Sequence, residues 1–232
     1  MVDFQHSDNW YLYDNSGRRG DFNTWERFFE PVSPYTLNEV YQSRYVVLGS
    51  TNMRLAVSNV EDLAKFGDAY CFWNNLSRKY LRPSAEVLAI LEQRIFPVVS
   101  PDLLAKSGIA LKLRGTDYTT PPPGHYYQPS LEQVCKELMI LCQEAADRTI
   151  VLATEDLQIA KAIQTRFPQV ISISFPETSE MDRIEYGQNY LAELLTQSKC
   201  AYCVSGLNGG LAGILLFGEH LKEIKTWNLG KA

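Results

Sequence analysis

The chain carries no surplus of positive charge, no apolar run long enough for a bilayer, and no complete set of cysteine pairs. Lysine and arginine number 22 against 27 aspartates and glutamates, a formal net charge of −5. That balance recruits neither nucleic acid nor an anionic membrane, so any phosphate site has to be local, built from a few residues. The longest greasy stretch, Leu211 to Phe217, includes Gly213 and falls far short of the roughly 20 residues that span a bilayer. The opening Met1-Val2-Asp3-Phe4-Gln5-His6 has neither the basic stretch nor the apolar core of a secretory signal. Five cysteines, an odd number, argue against a full disulfide framework and point to a reducing, cytoplasmic setting. The lone pair Cys200 and Cys203 falls in an expected strand, where positions three apart face opposite sides. Buried thiols are therefore favoured over zinc or redox chemistry. There is no phosphate-loop motif, no dinucleotide Gly-x-Gly-x-x-Gly and no Asp-x-Asp pair, which disfavours phosphoryl transfer, a dehydrogenase and a phosphate-bridging metal. Arg19-Gly20-Asp21 spells an adhesion tripeptide by chance, in what reads as a solvated turn.

What remains is ordinary globular material, 45% hydrophobic and 21% charged over 232 residues. At about 150 residues per domain the length lies between one domain and two. The second half is the readable one. Ile109 to Leu113 reads as a short apolar strand. Ser130-Leu131-Glu132-Gln133 has the form of a capping box opening a helix whose apolar face holds Leu131, Val134, Cys135, Leu138, Met139, Cys142 and Ala145. Strands follow at Thr149–Ala153, Val170–Ile173 and Ala201–Val204, with helices from about 155 to 166 and 182 to 197. A glycine-rich turn leads into a helix from Gly210 to Phe217, and Ile224–Trp227 closes the sheet. Alternation of this kind calls for a doubly wound parallel sheet covered on both faces. The first half offers a strand at Tyr45–Leu48, a short helix from Val60 to Phe66, an amphipathic helix from Pro83 to Phe96, and aromatic, turn-rich opening residues laid over a small sheet. A boundary near 97–108 divides a smaller, shortened α/β domain, 1–100, from a Rossmann-like domain, 101–232.

In a parallel sheet ligands bind beyond the carboxyl ends of the strands. Three such ends are polar here: Arg114-Gly115-Thr116-Asp117 after the first, Thr154-Glu155-Asp156 after the second, and Ser205-Gly206-Leu207-Asn208-Gly209-Gly210 after the fourth. Arg114 can grip two phosphate oxygens with a charge that does not titrate away. The helix after Asn208 presents free backbone N–H groups to an anion. Glu155 or Asp156 can accept from a ribose hydroxyl or a base edge. The competing explanations are a local Arg114–Asp117 salt bridge and a plain helix N-cap at 154–156.

Leu113-Arg114-Gly115-Thr116-Asp117 resembles the first motif of GDP-fucose-dependent fucosyltransferases, the α1,6, nodulation and protein O-fucosyltransferase relatives. Val151 to Asp156 is similar to their second motif and Ala201 to Gly210 to their third, in the same order, over about 109–218. Asn23 to Phe29 more loosely resembles the acceptor-side domain of bacterial members. The resemblance implies a GT-B-like fold and metal-independent, inverting transfer of fucose from GDP-fucose to a glycan acceptor. On it, Arg114 holds the donor's β-phosphate and Asp117 positions the loop or the sugar. Glu155, Asp156 and Glu193 face the nucleoside, while Ser205, Asn208, Gly209 and Gly210 wrap the pyrophosphate. No cofactor beyond the nucleotide-sugar donor is implied.

This sequence departs from that pattern in several places. Gly115 replaces a second basic residue, Lys112 a histidine, and Asn208 and Gly209 the usual serines. The family's loop glutamate is missing, since 118–131 holds no carboxylate, and His125 is the remaining titratable candidate for the base that inversion requires. Glu193 reads equally well as part of a solvated helix face. The chain begins inside the family's first domain, an expectation of a shortened N-terminal half whose exposed apolar edge would favour a homo-oligomer. The alternative to an enzyme is a nucleotide-sugar- or glycan-binding descendant that kept Arg114 and the phosphate turn.

Overall fold

The computed structural model describes residues 10–14, 16–44, 60–114, 121, 123–144, 148–174 and 182–232. The protein is α/β, built on one five-stranded sheet. Two 3-10 turns, Trp10–Leu12 and Thr24–Arg27, precede helices α1 (Leu37–Gln42), α2 (Val60–Ala64), α3 (Asp68–Tyr80), α4 (Ala85–Ile90) and α5 (Pro101–Ser107). Then strands and helices alternate: β1 (Ile109–Lys112), α6 (Leu131–Glu144), β2 (Ile150–Ala153), α7 (Leu157–Arg166), β3 (Val170–Ser172), α8 (Arg183–Gln197), β4 (Tyr202–Ser205), α9 (Gly209–Phe217) and β5 (Glu223–Lys225). The strand order is β3-β2-β1-β4-β5, every neighbouring pair parallel. The chain moves outward from β1 to β3, then crosses back to place β4 on the other side of β1. The crevice between β1 and β4 is therefore the switch point of the sheet.

The period of two along each strand sorts side chains between two layers. Ile109 and Leu111 of β1, with Ile150 and Leu152 of β2, pack against Val134, Leu138 and Leu141 of α6 and Ile163 of α7. Ala110, Val151, Ala153 and Cys203 face the other way, against Leu191, Leu194 and Leu195 of α8 and Leu211, Ile214 and Leu215 of α9. Each fully buried leucine or isoleucine contributes about 1.5–3 kcal/mol. Helix α9 is apolar on all sides, as a helix must be when covered all round: α2, α3 and α8 pack against it, and Leu211, Ile214 and Leu215 share a cluster with Ala110 and Cys203 of the sheet.

The first half joins that second layer. Leu63 of α2, Val87 of α4, Leu91, Ile95, Val99 and Leu104 belong to the same buried cluster as Ala110 and Leu191. Asn74 of α3 is buried and its Nδ2 donates to Leu215 O (2.9 Å) and Gly218 O (2.8 Å), satisfying carbonyls left without partners at the end of α9. Among the described residues the first half supplies helices and loops to the sheet's covering layer, its only extended pairings being the isolated bridges Tyr13–Arg19 and Phe29–Pro83. The expected strand at Tyr45–Leu48 lies outside the described residues.

The capping box is present: Gln133 N donates to Ser130 Oγ (3.3 Å) and Ser130 N to Gln133 Oε1 (2.8 Å). The helix expected over Pro83–Phe96 begins two residues later, because Ser84 Oγ accepts from Val87 N and acts as its cap, and its last turn, Leu91–Ile95, widens to a π-turn. Helix α3 has no counterpart in the sequence reading. Cys200 and Cys203 do not face opposite sides as expected. Cys200 sits in the turn before β4, and both join the α8/α9 layer as free, buried thiols.

Candidate functional site

The carboxyl ends of β1, β2 and β4 lie in one row, Lys112 opposite Ala153 on one side and Ser205 on the other. The sequence-expected residues follow directly after this row. Arg114 and Glu155 are brought together, Nε to Oε1 3.7 Å, each about one third exposed. Their pairing links the β1 and β2 ends; Asp117, the partner expected for Arg114 from the sequence, lies outside the described residues.

Lys112 is the group that sequence reasoning passed over. Alternation puts it on the α8/α9 side of β1, where it is 3% exposed. Its Nζ stands 3.6 Å from Glu193 Oε2 on α8 and 4.6 Å from the centre of the Tyr190 ring. Burial pushes the Lys112 ammonium down from its ordinary value, opposed by the pull of Glu193 and Glu155. The same burial pushes the Tyr190 hydroxyl up to about 12. Glu193 is thus not part of a solvated helix face; it is 6% exposed and engaged with Lys112. The signal was in the sequence: a lysine sharing the inward face with Ala110, in a strand covered on both sides, has to meet an anion.

The turn after β4 presents the helix end that anion binding requires. Asn208 is the N-cap of α9, its Oδ1 accepting from Leu211 N (3.0 Å). The first turn carries no side chain beyond hydrogen at Gly209 and Gly210, and a Cβ on Gly210 would lie 2.9 Å from Lys112 Cε. The glycine is what admits the lysine against the helix end. Ser205 is wholly buried and donates to Gly206 O (2.9 Å), so its hydroxyl shapes the turn from inside. Over the turn lies Gln128, which had no signal in the sequence. Its Oε1 accepts from Asn208 Nδ2 (3.2 Å) and its Nε2 donates to Tyr126 O (3.2 Å). A Cβ on Gly206 would run into Gln128 Oε1 and lie 2.9 Å from Pro129 Cδ.

Two expected residues have different surroundings. Asp156 is the N-cap of α7, its Oδ1 accepting from Gln158 N (2.8 Å) and Ile159 N (3.1 Å), which is the capping role weighed against nucleoside binding. His125 is exposed, in a segment laced to residues 230–232: Ala232 N donates to His125 O (3.0 Å) and Tyr127 N to Gly230 O (3.1 Å). Tyr126 beside it is buried and donates to Glu61 Oε2 of α2 (2.8 Å). Among the described residues no cluster of three or more His, Cys, Asp or Glu is arranged to hold a metal, and no helix is long and apolar enough to cross a membrane.

No protein-family model matches the sequence, and no curated protein matches it significantly. Solved structures of fucosyltransferases resemble part of the fold. A NodZ α1,6-fucosyltransferase soaked with GDP-fucose is 19% identical with a TM-score of 0.47, over 67% of this chain and 48% of that one. A FUT1 mutant from Arabidopsis thaliana in complex with GDP is 14% identical with a TM-score of 0.43, over 74% and 40%. POFUT1 in complex with GDP is 15% identical with a TM-score of 0.42, over 68% and 50%. The chain spans about half the length of these structures or less.

Proposed function

We propose that the protein is an inverting, metal-independent glycosyltransferase that moves fucose from GDP-fucose to a glycan acceptor. The observation that carries this reading is the convergence at the switch point: Arg114 beyond β1, Lys112 beneath it, and the N-terminus of α9 at Gly209 and Gly210. Positive charge and backbone donors at the ends of adjacent strands suit a diphosphate, and suit best the charge that develops on a departing one. In that reaction a base takes the proton of an acceptor hydroxyl. The acceptor oxygen bonds to the sugar's anomeric carbon, the bond from that carbon to the β-phosphate oxygen breaks, and GDP leaves with the electron pair. Arg114 and Lys112 carry the leaving charge, with Glu193 holding the ammonium in place. Asn208 fixes the end of α9, and Ser205 the turn that leads to it. Glu155 turns toward the nucleoside while Asp156 caps α7. Asp117 positions the sugar or the loop after Arg114, and His125 is the base. Residues 101–232 form the donor half and 1–100 the acceptor half.

A second reading, a binding protein descended from such an enzyme, is favoured by one feature. The described part of the 121–131 segment has no carboxylate and its Gln128 covers the phosphate turn. Incubation with GDP-fucose and a glycan panel, with free GDP as the readout, separates the two. The enzyme releases GDP faster in the presence of an acceptor. Binding of GDP-fucose without release on any acceptor would leave the binding protein.

A further inference from the structure

Helix α8 rises well above the row of strand ends. β3 ends at the carboxyl edge of the sheet and β4 begins at the amino edge, so α8 descends from one to the other. Glu193 is level with Lys112 at the edge itself. Arg183 at the head of the helix therefore lies about 15 Å farther along the helix axis than Glu193, at 1.5 Å per residue. The opening residues of the described chain pack on this projecting part. Gly187 lies against Tyr11 and Phe28, Arg183 Nη1 donates to Trp10 O (3.4 Å), and its guanidinium stacks 4.9 Å over the Trp10 ring.

Between the two runs a cleft of about 450 Å³, whose lining includes Tyr11, Tyr13, Arg18, Arg19, Asp21 and Arg183. One wall is a preformed hairpin. Tyr13 bridges Arg19 across it, Gly20 N donates to Leu12 O (2.6 Å), and Asp14 Oδ1 accepts from Ser16 N, Ser16 Oγ and Arg18 N at 2.7–2.9 Å. The other wall is the head of α8, where Asp182 Oδ1 caps Glu185 N (2.8 Å). Both walls are held by their own hydrogen bonds, so little ordering is needed on binding.

We propose that this cleft is a carbohydrate subsite that receives the distal part of an oligosaccharide acceptor. A sugar ring offers an apolar C–H face and neighbouring hydroxyls that both donate and accept. The cleft offers aromatic rings beside guanidinium and carboxylate groups, the complement of both features. Its charges come from three arginines, Arg18, Arg19 and Arg183, and three aspartates, Asp14, Asp21 and Asp182. This balance suits a neutral polyhydroxyl chain and not a polyanion. The height above the strand ends fixes which part of the acceptor binds here: units remote from the reacting hydroxyl, so the acceptor is an oligosaccharide and not a single sugar. This rests on the reading of the row at Lys112 and Arg114 as the donor site.

The test is amide chemical-shift mapping of the wild-type protein with cellotetraose, maltotetraose and chitotetraose at millimolar concentration, alongside a GDP titration. At least one tetraose is expected to shift the amides of Arg18 to Asp21, with glucose shifting them far less. Tyr13→Ala and Arg18→Ala should each weaken that binding about tenfold or more while leaving GDP affinity unchanged. If GDP binds and no tetraose shifts those amides, the subsite is wrong and the donor reading stands. If a tetraose shifts them and GDP does not bind, the subsite stands and the donor reading falls. Tetraose binding that both variants leave intact, or shifts centred elsewhere, overturns the proposal.

Discussion

Lys112 and Glu193 form an ion pair at 3.6 Å with both side chains almost wholly buried. It ties the end of the central strand to α8 directly below the proposed phosphate crevice. Removing one partner leaves the other charge buried without it, which costs about 3–5 kcal/mol, whereas replacing both by apolar residues is close to neutral. Lys112→Met is therefore expected to destabilise the protein strongly in urea unfolding, and Lys112→Met with Glu193→Leu to recover most of the loss. Equal losses in the single and double variants would show that the two groups act independently.

Asp156 and Glu155 are neighbours with different work. Asp156→Ala removes the cap of α7 and is expected to cost about 1 kcal/mol of stability, with GDP affinity unchanged. Glu155→Ala is expected to do the reverse, sparing stability and weakening GDP, because its ion pair with Arg114 is partly open to solvent, each side chain about one third exposed. Calorimetric GDP titration and urea unfolding on the same two variants check both halves.

Asn74 connects the first half of the chain to the last helix of the sheet layer through two short bonds to Leu215 O and Gly218 O. Asn74→Ala strands those buried carbonyls and is expected to cost about 1–3 kcal/mol. The loss should appear in a single unfolding transition, since Leu63, Val87 and Leu191 share one core. Two separate transitions would mean that the first half folds by itself.

Alkaline pH should unfold the protein through its buried acids. Burial pushes the Cys203 thiol from 9.0 up to about 12 and raises Cys200 well above 9.0; Tyr190 moves from 10.0 to about 12. Each keeps its proton in the fold after the unfolded chain has lost it. Their stabilisation is complete below pH 9 and is lost as pH rises toward 12. Lys112, pushed down from 10.5, has the opposite sign and adds stability as pH rises toward 10.5, but it is one group against three. Stability should therefore fall above about pH 9, and Cys203→Ala should flatten the fall by roughly 1 kcal/mol per pH unit. An unchanged slope would contradict the burial argument.

Strands β1 to β4 were legible because each is short, largely apolar and followed by a capped helix: Ser130 and Gln133, or Ile109 to Leu111, declare themselves by type and spacing. Helix α3 was not, because its inward groups include Asn74 and Ser77, polar residues whose burial depends on α9 far along the chain. Arg114 and Glu155 could be placed at one rim because parallel topology brings successive strand ends together. Glu193 could not be read as buried without knowing that Lys112 meets it. Gln128 had no local signal, since a glutamine over a glycine turn is made by the tertiary path of its loop.

A donor site beside Arg114 has to bind a guanosine diphosphate. The direct measurement is calorimetric titration of GDP into the wild type and Arg114→Ala, with stability followed in parallel. Loss of a charged, hydrogen-bonding contact to phosphate predicts binding by the wild type and an affinity about 10- to 100-fold weaker in Arg114→Ala, with both proteins folded. No binding by the wild type, or equal binding by the folded variant, would contradict it.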